Sequence, residues 1–371
     1  MSRAVKVYVG MSGGVDSSLT AALLVEQGYD VTGVYMKNWT QDLPGMKCPW
    51  ADDLADAKRV AVQLGIDFKV FDFEKEYKQK VVDYMIDEYK NGRTPNPDIM
   101  CNQEVKFKLF LEASLEDGAD MIATGHYARV EGGRWKVEGG DTEIANSQIP
   151  NSNSHSLLMQ AVDKNKDQTY FLYRVTGEAL GKTLFPLGEY TKPQVREMAD
   201  ERGLYTAGKK DSQGICFVGK VGIRDFLSMY VEQKPGEIID KKSGKVLGHH
   251  DGAIFYTLGQ RHGLDLGGGF PYYVVGKDMD KNEVYVTTDL NDDTLWKKDV
   301  TLTNVHWINQ TPVDGLCQIR VRHRAKLVDA KLKTDGSNVN LKLDNPERAV
   351  AAGQSVVVYD GDICLGGGIV I

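Results

Sequence analysis

Short apolar runs and amphipathic stretches alternate over the first 130 residues. "VKVYVGM" (Val5 to Met11) is a compact β-branched and aromatic run and predicts a buried strand. "DSSLTAALLVEQG" then predicts a helix, with Leu19, Leu23 and Leu24 on one side and Gly28 as its stop. A second strand follows at 30–36. Next comes a helix at 51–65, with Leu54, Ala57, Ala61 and Leu64 along one face, and a third strand at 67–73. Helical material continues to about Lys90, and a loop covers 92–102. A helix at 104–118 carries Val105, Leu109 and Ala113 at four-residue steps, and a further strand spans 119–130. Strands alternating with helices predict a doubly wound α/β domain, whose ligands sit at the carboxyl ends of the strands. Gly13, Met36 and Gly125 fall at such ends. Met36 and Gly125 are therefore placed to line an adenosine pocket through backbone groups, with core filling as the alternative for Met36.

The pattern then changes. Residues 136–156 are polar and predict an exposed insertion or hairpin. "KPQVREMADERG" (192–203) predicts the last helix of the first domain, with Pro193 in its first turn. Beyond it come Gly-rich, strand-like pieces ("GEIIDKKSGKVLG", "GAIFYTLGQRHGL", "YYVVGKD", "NEVYVTT"). From about 283 onward there are almost only short strands and turns. Two small β domains fit, the second a barrel.

The turn between the first strand and helix reads "GMSGGVDSS" (10–18). Its glycines let a ligand approach the backbone with no Cβ in the way. Successive N–H groups at a helix start form an anion-binding concavity, reinforced by the helix dipole. A Walker loop would need a lysine after its second glycine and a dinucleotide loop three spaced glycines; neither pattern is present. SGGVDS instead resembles the pyrophosphate loop of the ATP pyrophosphatases. That resemblance implies cleavage of ATP between the α and β phosphates and transfer of AMP to a substrate oxygen. Asp16 and Ser17 suit a helix N-terminus. Asp16 beside phosphates is repulsive on its own, so it is expected to cap the helix or help hold Mg2+.

Composition narrows the setting. At 371 residues, two or three domains are expected. No apolar run is long enough for a membrane span and no signal-peptide pattern opens the chain, which points to a cytoplasmic protein. The formal charge is −7, so a nucleic-acid partner has to be met by local basic patches. Candidates are residues 205–248, with eight Lys or Arg against five Asp or Glu, and "RVRHRAK" (Arg320 to Lys326); a solvated face explains such an excess equally well.

Five scattered cysteines make no disulfide framework. Cys317 and Cys364 lie in strand patterns and read as core; Cys48 ("KCPW") reads as core or as a metal or redox residue. Cys101 sits in "PNPDIMCN", where two prolines predict an extended loop running into a helix N-terminus that favours a thiolate; Asp98 is its candidate acid–base partner. Cys216 sits in "KKDSQGICFVG", with Gly214 and two lysines close by in sequence.

SGGVDS, NPD followed three residues on by Cys101, TGHYAR, KDQTYFL, DSQGICF and GQRHGL occur in that order, over essentially the whole chain. The ordered set resembles the tRNA-specific 2-thiouridylases of the MnmA/TrmU type. The resemblance implies an α/β fold of three units. These are an N-terminal adenine nucleotide alpha-hydrolase (PP-loop, Rossmann-like) domain at 1–206, a small central tRNA-binding domain at 207–282 and a C-terminal β-barrel at 283–371. It implies an enzyme, a tRNA-uridine 2-sulfurtransferase, that uses ATP to replace the 2-oxo group of the wobble uridine of Lys, Glu and Gln acceptors with sulfur. A cysteine desulfurase or sulfur-relay protein is the implied persulfide donor.

Residue by residue, Gly10, Met11, Ser12, Gly13, Gly14, Val15, Asp16 and Ser17 match the ATP loop, and Met36 and Gly125 the other nucleotide contacts. Asn96, Pro97 and Asp98 match the segment that meets the target base. Cys101 matches the nucleophile and Cys216 the persulfide carrier. Lys166, Asp167, Gln168, His126 and Gln354 match tRNA contacts, as do Arg322 and His323, where the family has an Arg-Tyr pair. Both sulfur routes, direct persulfide attack and prior release of hydrosulfide, leave a Cys101–Cys216 disulfide. An iron–sulfur cluster on Asp98, Cys101 and Cys216 is the alternative sulfur carrier. Another ATP pyrophosphatase-type ligase, or a non-catalytic RNA-binding module, is the alternative function.

Overall fold

The structure is a computed structural model that describes residues 3–42, 48–132, 156–211, 222–267 and 269–371. Cys216 and most of the 136–156 segment, expected to be an insertion, lie outside the described residues. In chain order the first domain has strands β1 (Lys6–Gly10), β2 (Asp30–Lys37) and β3 (Asp67–Asp72), with helices α1 (Val15–Glu26) and α2 (Trp50–Leu64) between them. Further on come β4 (Met121–Thr124), β5 (Ala128–Glu131), β6 (Leu157–Gln160) and β7 (Thr183–Leu184). β1 is apolar on both faces because helices cover both sides of a parallel sheet. α2 buries Ala57, Val60 and Ala61, carries Asp52 and Asp53 in its first turn and stops at Gly65 in the left-handed conformation. The sheet order is β3-β2-β1-β4-β7, all parallel, so the direction of winding reverses between β1 and β4. Ligands of such sheets bind at the carboxyl ends beside that point.

Three expectations change. The helix expected from residue 104 starts at Pro97. It runs through Pro97–Met100, Cys101–Leu109 (with i→i+5 bonding) and Phe110–Glu116. A proline that reads as a loop former is equally a helix starter at the first position, and Asn96 caps it. The strand expected at 119–130 is two strands in different sheets: β4 belongs to the parallel sheet, whereas β5 pairs antiparallel with β6. The apolar run 253–256 is buried as a tight turn rather than a strand.

Strands β8 (Gly236–Asp240), β9 (Val246–His250), β10 (Tyr273–Asp278) and β11 (Glu283–Thr287) form the central sheet, in the order β10-β11-β8-β9. The expected boundary at 282/283 therefore falls inside this sheet, because β11 pairs with both β8 and β10. The last strands are β12 (Trp296–Trp307), β13 (Gly315–Arg320), β14 (Val328–Asp335), β15 (Asn338–Arg348), β16 (Ser355–Asp360) and β17 (Ile363–Val370). They run β12-β15-β14-β13-β16-β17, and β12–β17 pairing closes the ring around Leu302, Ile319, Leu341 and Val356. The β5–β6 hairpin of the first domain adds to this barrel through β17. Among the described residues no helix is long and apolar enough to cross a membrane.

A buried ion pair fastens the barrel to the first domain. Asp167 is 1% exposed and accepts from the Arg320 guanidinium at 2.7 Å, the Thr169 hydroxyl at 2.8 Å and the Ala161 N–H at 3.0 Å. Arg320 also donates to Gln160 at 3.2 Å. Removing one partner leaves a buried charge unopposed, so Asp167→Ala is expected to destabilise the protein by about 3–5 kcal/mol. The double variant Asp167→Leu with Arg320→Met is expected to recover most of that loss. Thermal unfolding of the three chains checks this, and equal losses in the single and double variants would contradict it.

Candidate active site

The phosphate loop is built by close approach. Gly13 has φ +72, and a Cβ there would lie 2.3 Å from the Asp53 carbonyl oxygen in α2, so no other residue fits. Gly14 caps α1 from extended backbone, and an added Cβ would meet only the Ser12 hydroxyl, at 3.6 Å. The Ser17 hydroxyl accepts the Ser12 N–H at 3.2 Å and donates to the Gly14 carbonyl at 3.1 Å, closing the loop on itself. Gly125, just past β4, lies against the first turn of α1; a Cβ there would be 2.9 Å from both the Asp16 carbonyl carbon and the Ser17 nitrogen. Gly10, Met11, Ser12, Val15, Met36 and Gly125 thus gather at the carboxyl ends of β1, β2 and β4. The Met36 side chain itself fills the core.

Asp16 is no helix cap. Its carboxylate accepts from Lys192 Nζ at 2.7 and 2.8 Å and from the Tyr127 hydroxyl at 2.8 Å. Lys192 also meets Asp211 at 2.9 Å, and Asp211 accepts from Lys166 at 2.8 Å and Arg196 at 2.7 Å. Burial works against the Asp211 charge, but hydrogen bonds from Lys166 and Lys192 outweigh it and hold the carboxyl down to about 2. Lys192, Tyr127 and Asp211 were not legible as site residues, because their partners are far away in sequence. Both Asp16 oxygens are engaged by Lys192, and among the described residues no three His, Cys, Asp or Glu side chains gather to hold a metal.

The second part of the site begins where the three units meet. The Thr94 N–H donates to the Ala352 carbonyl of the barrel at 2.9 Å, and its hydroxyl lies 3.2 Å from that of Thr257 in the central unit. A Cβ on Gly353 would be 2.7 Å from Arg93, so the barrel turn sits directly on this segment. Gln354 belongs to that turn and accepts the Ala351 N–H at 3.2 Å. Two residues past Thr94, Asn96 caps the helix by accepting from the N–H groups of Asp98 (3.1 Å) and Ile99 (3.3 Å). Pro97 and Asp98 form its first turn. Cys101 lies one turn in, fully buried, in the same core cluster as Met36, rather than in the expected loop.

The expected RNA contacts separate into two sets. Arg322 and His323 are on the barrel loop facing this helix: the His323 ring packs 4.5 Å from Phe171, whose carbonyl accepts from Asn102 at 3.1 Å. Burial, helped by the positive charge of Arg324, pushes the His323 imidazole down to about 4, so it is neutral at physiological pH. Arg322 is exposed. The other set is engaged inside the protein. His126 is buried between Phe107 and Phe185, its Nδ1 2.7 Å from the Thr124 hydroxyl, and burial holds its pKa well below the usual value. Lys166 is paired with Asp211, and Gln168 exchanges two hydrogen bonds with the Tyr127 backbone, both at 2.9 Å. The Asp167 carboxylate is committed to Arg320. Cys48 and Cys364 are core residues, as expected.

A nucleotide-binding α/β domain followed by two small β units is the class this architecture defines, and comparison with known proteins agrees. The tRNA methyl transferase HUP domain family matches residues 5–220, the tRNA methyl transferase PRC-barrel domain family 224–288, and the Aminomethyltransferase beta-barrel domain family 297–370. The chain is 46% identical over 368 residues to the tRNA-specific 2-thiouridylase MnmA of Bacillus thuringiensis (strain Al Hakam), covering 98% of this chain and 93% of that one. The same figures hold for that of Bacillus anthracis. The chain belongs to the tRNA-specific 2-thiouridylase family. Among solved structures, a 4-thiouridine synthetase–RNA complex with bound ATP overlaps with a TM-score of 0.36 at 17% identity, over 61% of this chain and 50% of that one, too loosely to align site residues.

The loop geometry separates its two glycines. Gly13→Ala is expected to lose both stability and nucleotide binding, because the added methyl meets the Asp53 carbonyl. Gly14→Val is expected to keep its melting temperature and lose ATP binding, because a Cβ there meets nothing in the protein closer than the Ser12 hydroxyl at 3.6 Å, whereas the branched side chain would occupy the anion cradle. Calorimetric titration with ATP alongside thermal melts checks this; normal ATP affinity in folded Gly14→Val would remove the phosphate site.

Proposed function

We propose that this protein is an ATP-dependent tRNA-uridine 2-sulfurtransferase that adenylates the 2-oxygen of the wobble uridine and replaces it with sulfur carried on Cys216. The observation that carries the reading is the placement of the anion loop, Met36 and Gly125 at the strand ends, with Met36 in the same core as the helix that opens on Asn96–Asp98 and holds Cys101. A uridine carbonyl does not leave as oxide. Once its oxygen carries AMP, that oxygen departs with the AMP, and pyrophosphate is the other product. Backbone N–H groups of the Gly13–Val15 loop would bind the departing pyrophosphate, while Asp16, neutralised by Lys192, does not repel it. Mg2+ accompanies the nucleotide in this reading.

Sulfur arrives as the terminal atom of a Cys216 persulfide, loaded by a cysteine desulfurase or a relay protein. Cys101 attacks the inner Cys216 sulfur, before or after the terminal sulfur bonds to the ring carbon. Either order gives 2-thiouridine and a Cys101–Cys216 disulfide, which an external thiol reductant reopens. In this reading the units divide as a catalytic domain up to about residue 206, a central tRNA-binding unit and the barrel. Asn96–Asp98 meet the base, and exposed Arg322 meets RNA phosphate beside His323 and Gln354.

The two cysteines are separable by experiment. Cys216→Ser is expected to accept no labelled sulfur from a desulfurase relay. Cys101→Ser is expected to load label and then stall, because a serine hydroxyl is a poor nucleophile toward sulfur. Both variants are expected to keep releasing pyrophosphate in the presence of tRNA. A Cys101 variant that fails to load while the Cys216 variant loads normally would reverse the roles, and a Cys216 variant with full thiolation activity would point to a ligase of the same fold.

A further inference from the structure

β2 ends at Lys37, whose carbonyl accepts the Phe73 N–H at 2.9 Å. The next residue, Asn38, is 1% exposed, yet neither its amide oxygen nor its amide nitrogen finds a hydrogen-bond partner among the described residues. Buried amides are nearly always paired, because taking them out of water without a replacement bond is unfavourable. Asn102 is the useful contrast: its nitrogen donates to the Phe171 carbonyl at 3.1 Å and only its oxygen is unpaired. Asn38 has both ends open. Its neighbours hold it there. Lys37 is paired with Asp72 and Glu74, while the Trp39 indole donates to the Gln41 carbonyl at 2.9 Å and packs 5.7 Å from the Phe226 ring.

Its place in the fold says what such an amide faces. Strand alternation carries Asn38 to the side of Val34 and Met36, which belong to the core that contains Ile99 and Cys101. β2 runs parallel to β1, with Gly10 opposite Val34, so Asn38 stands four residues further on, past the carboxyl ends of the strands from which the phosphate loop also springs. A side-chain amide offers an acceptor next to donors. An anion would use only the donors and an apolar group neither. A nucleobase edge uses both: the 6-amino group and a ring nitrogen of adenine, or N3–H and a carbonyl of uracil. We propose that the Asn38 amide pairs with the donor–acceptor edge of a nucleobase bound between the phosphate loop and the Cys101 helix. The inference rests on the function proposed above, in which two bases meet: the adenine of ATP and the target uracil.

Asn38→Leu keeps the branched four-atom shape of the side chain and removes both polar atoms. Equilibrium affinity is measured, for the wild type and this variant, with ATP against purine riboside triphosphate, which lacks the 6-amino group. A second pair of ligands is anticodon stem–loops whose wobble base is uracil or 2-pyrimidinone, which lacks the 4-oxo group. In the wild type one of the two analogues is expected to bind about tenfold or more weakly than its parent, and in Asn38→Leu that difference is expected to vanish while the melting temperature holds or rises. A difference that vanishes in the ATP pair identifies adenine; one that vanishes in the RNA pair identifies uracil. If both differences are the same in wild type and variant, the proposal is overturned and Asn38 is a buried amide paired with water. Should Asn38→Leu not fold, Asn38→Ala is read in the same way. These are binding measurements, so they decide the role of Asn38 even if the wild type forms no thiouridine, an outcome that would overturn the proposed function instead.

Discussion

One buried carboxylate holds the working parts of this molecule in line. Asp167 neutralises Arg320 of the barrel, and the next residue, Gln168, is locked to the Tyr127 backbone. The Tyr127 hydroxyl bonds Asp16 in the phosphate loop, and Asp16 shares Lys192 with Asp211, which opens the DSQGICF stretch five residues before Cys216. Barrel, phosphate loop and Asp211, five residues before Cys216, are thus joined by a single run of polar contacts. Its innermost link is a desolvated ion pair that is costly to break from one side. The β5–β6 hairpin extends the same connection through backbone pairing with β17.

This alignment bears directly on the chemistry. Activation of a base oxygen and delivery of sulfur to the same ring carbon require an anion cradle and a thiol on one side of one sheet. The parallel sheet supplies this because every strand presents its carboxyl end to the same side, and the helix carrying Cys101 starts at that side, before β4. The segment just ahead of it, Arg93–Thr94, is clamped by the barrel turn at Ala352–Gly353 and by Thr257 of the central unit. RNA that docks on the two β units therefore docks on the same parts that position Asn96–Asp98.

Much of this was legible in the sequence. The loop GMSGGVDSS, the strand–helix alternation and the closing barrel follow from local pattern, and the ordered motifs identified the family that the comparisons then showed. What was not legible depended on contacts between distant residues. Asp167 reads as a polar residue in a polar segment until Arg320, in a strand far along the chain, takes up its charge. Asp16 reads as a cap because Lys192 is remote. Gly125 ends a strand early because its backbone is pressed against α1, which no local pattern encodes. The start of the Cys101 helix was misplaced because proline signals both a loop and a first helical turn.

The central claim, that the phosphate loop activates the same uridine oxygen that sulfur displaces, is tested most directly by following that oxygen. tRNA carrying oxygen-18 at the 2-position of the wobble uridine is incubated with protein, ATP and a persulfide source, and the products are weighed by mass spectrometry. The account predicts one heavy oxygen in AMP for each thiouridine formed, and none in pyrophosphate. Heavy oxygen in pyrophosphate or water, with unlabelled AMP, would contradict it.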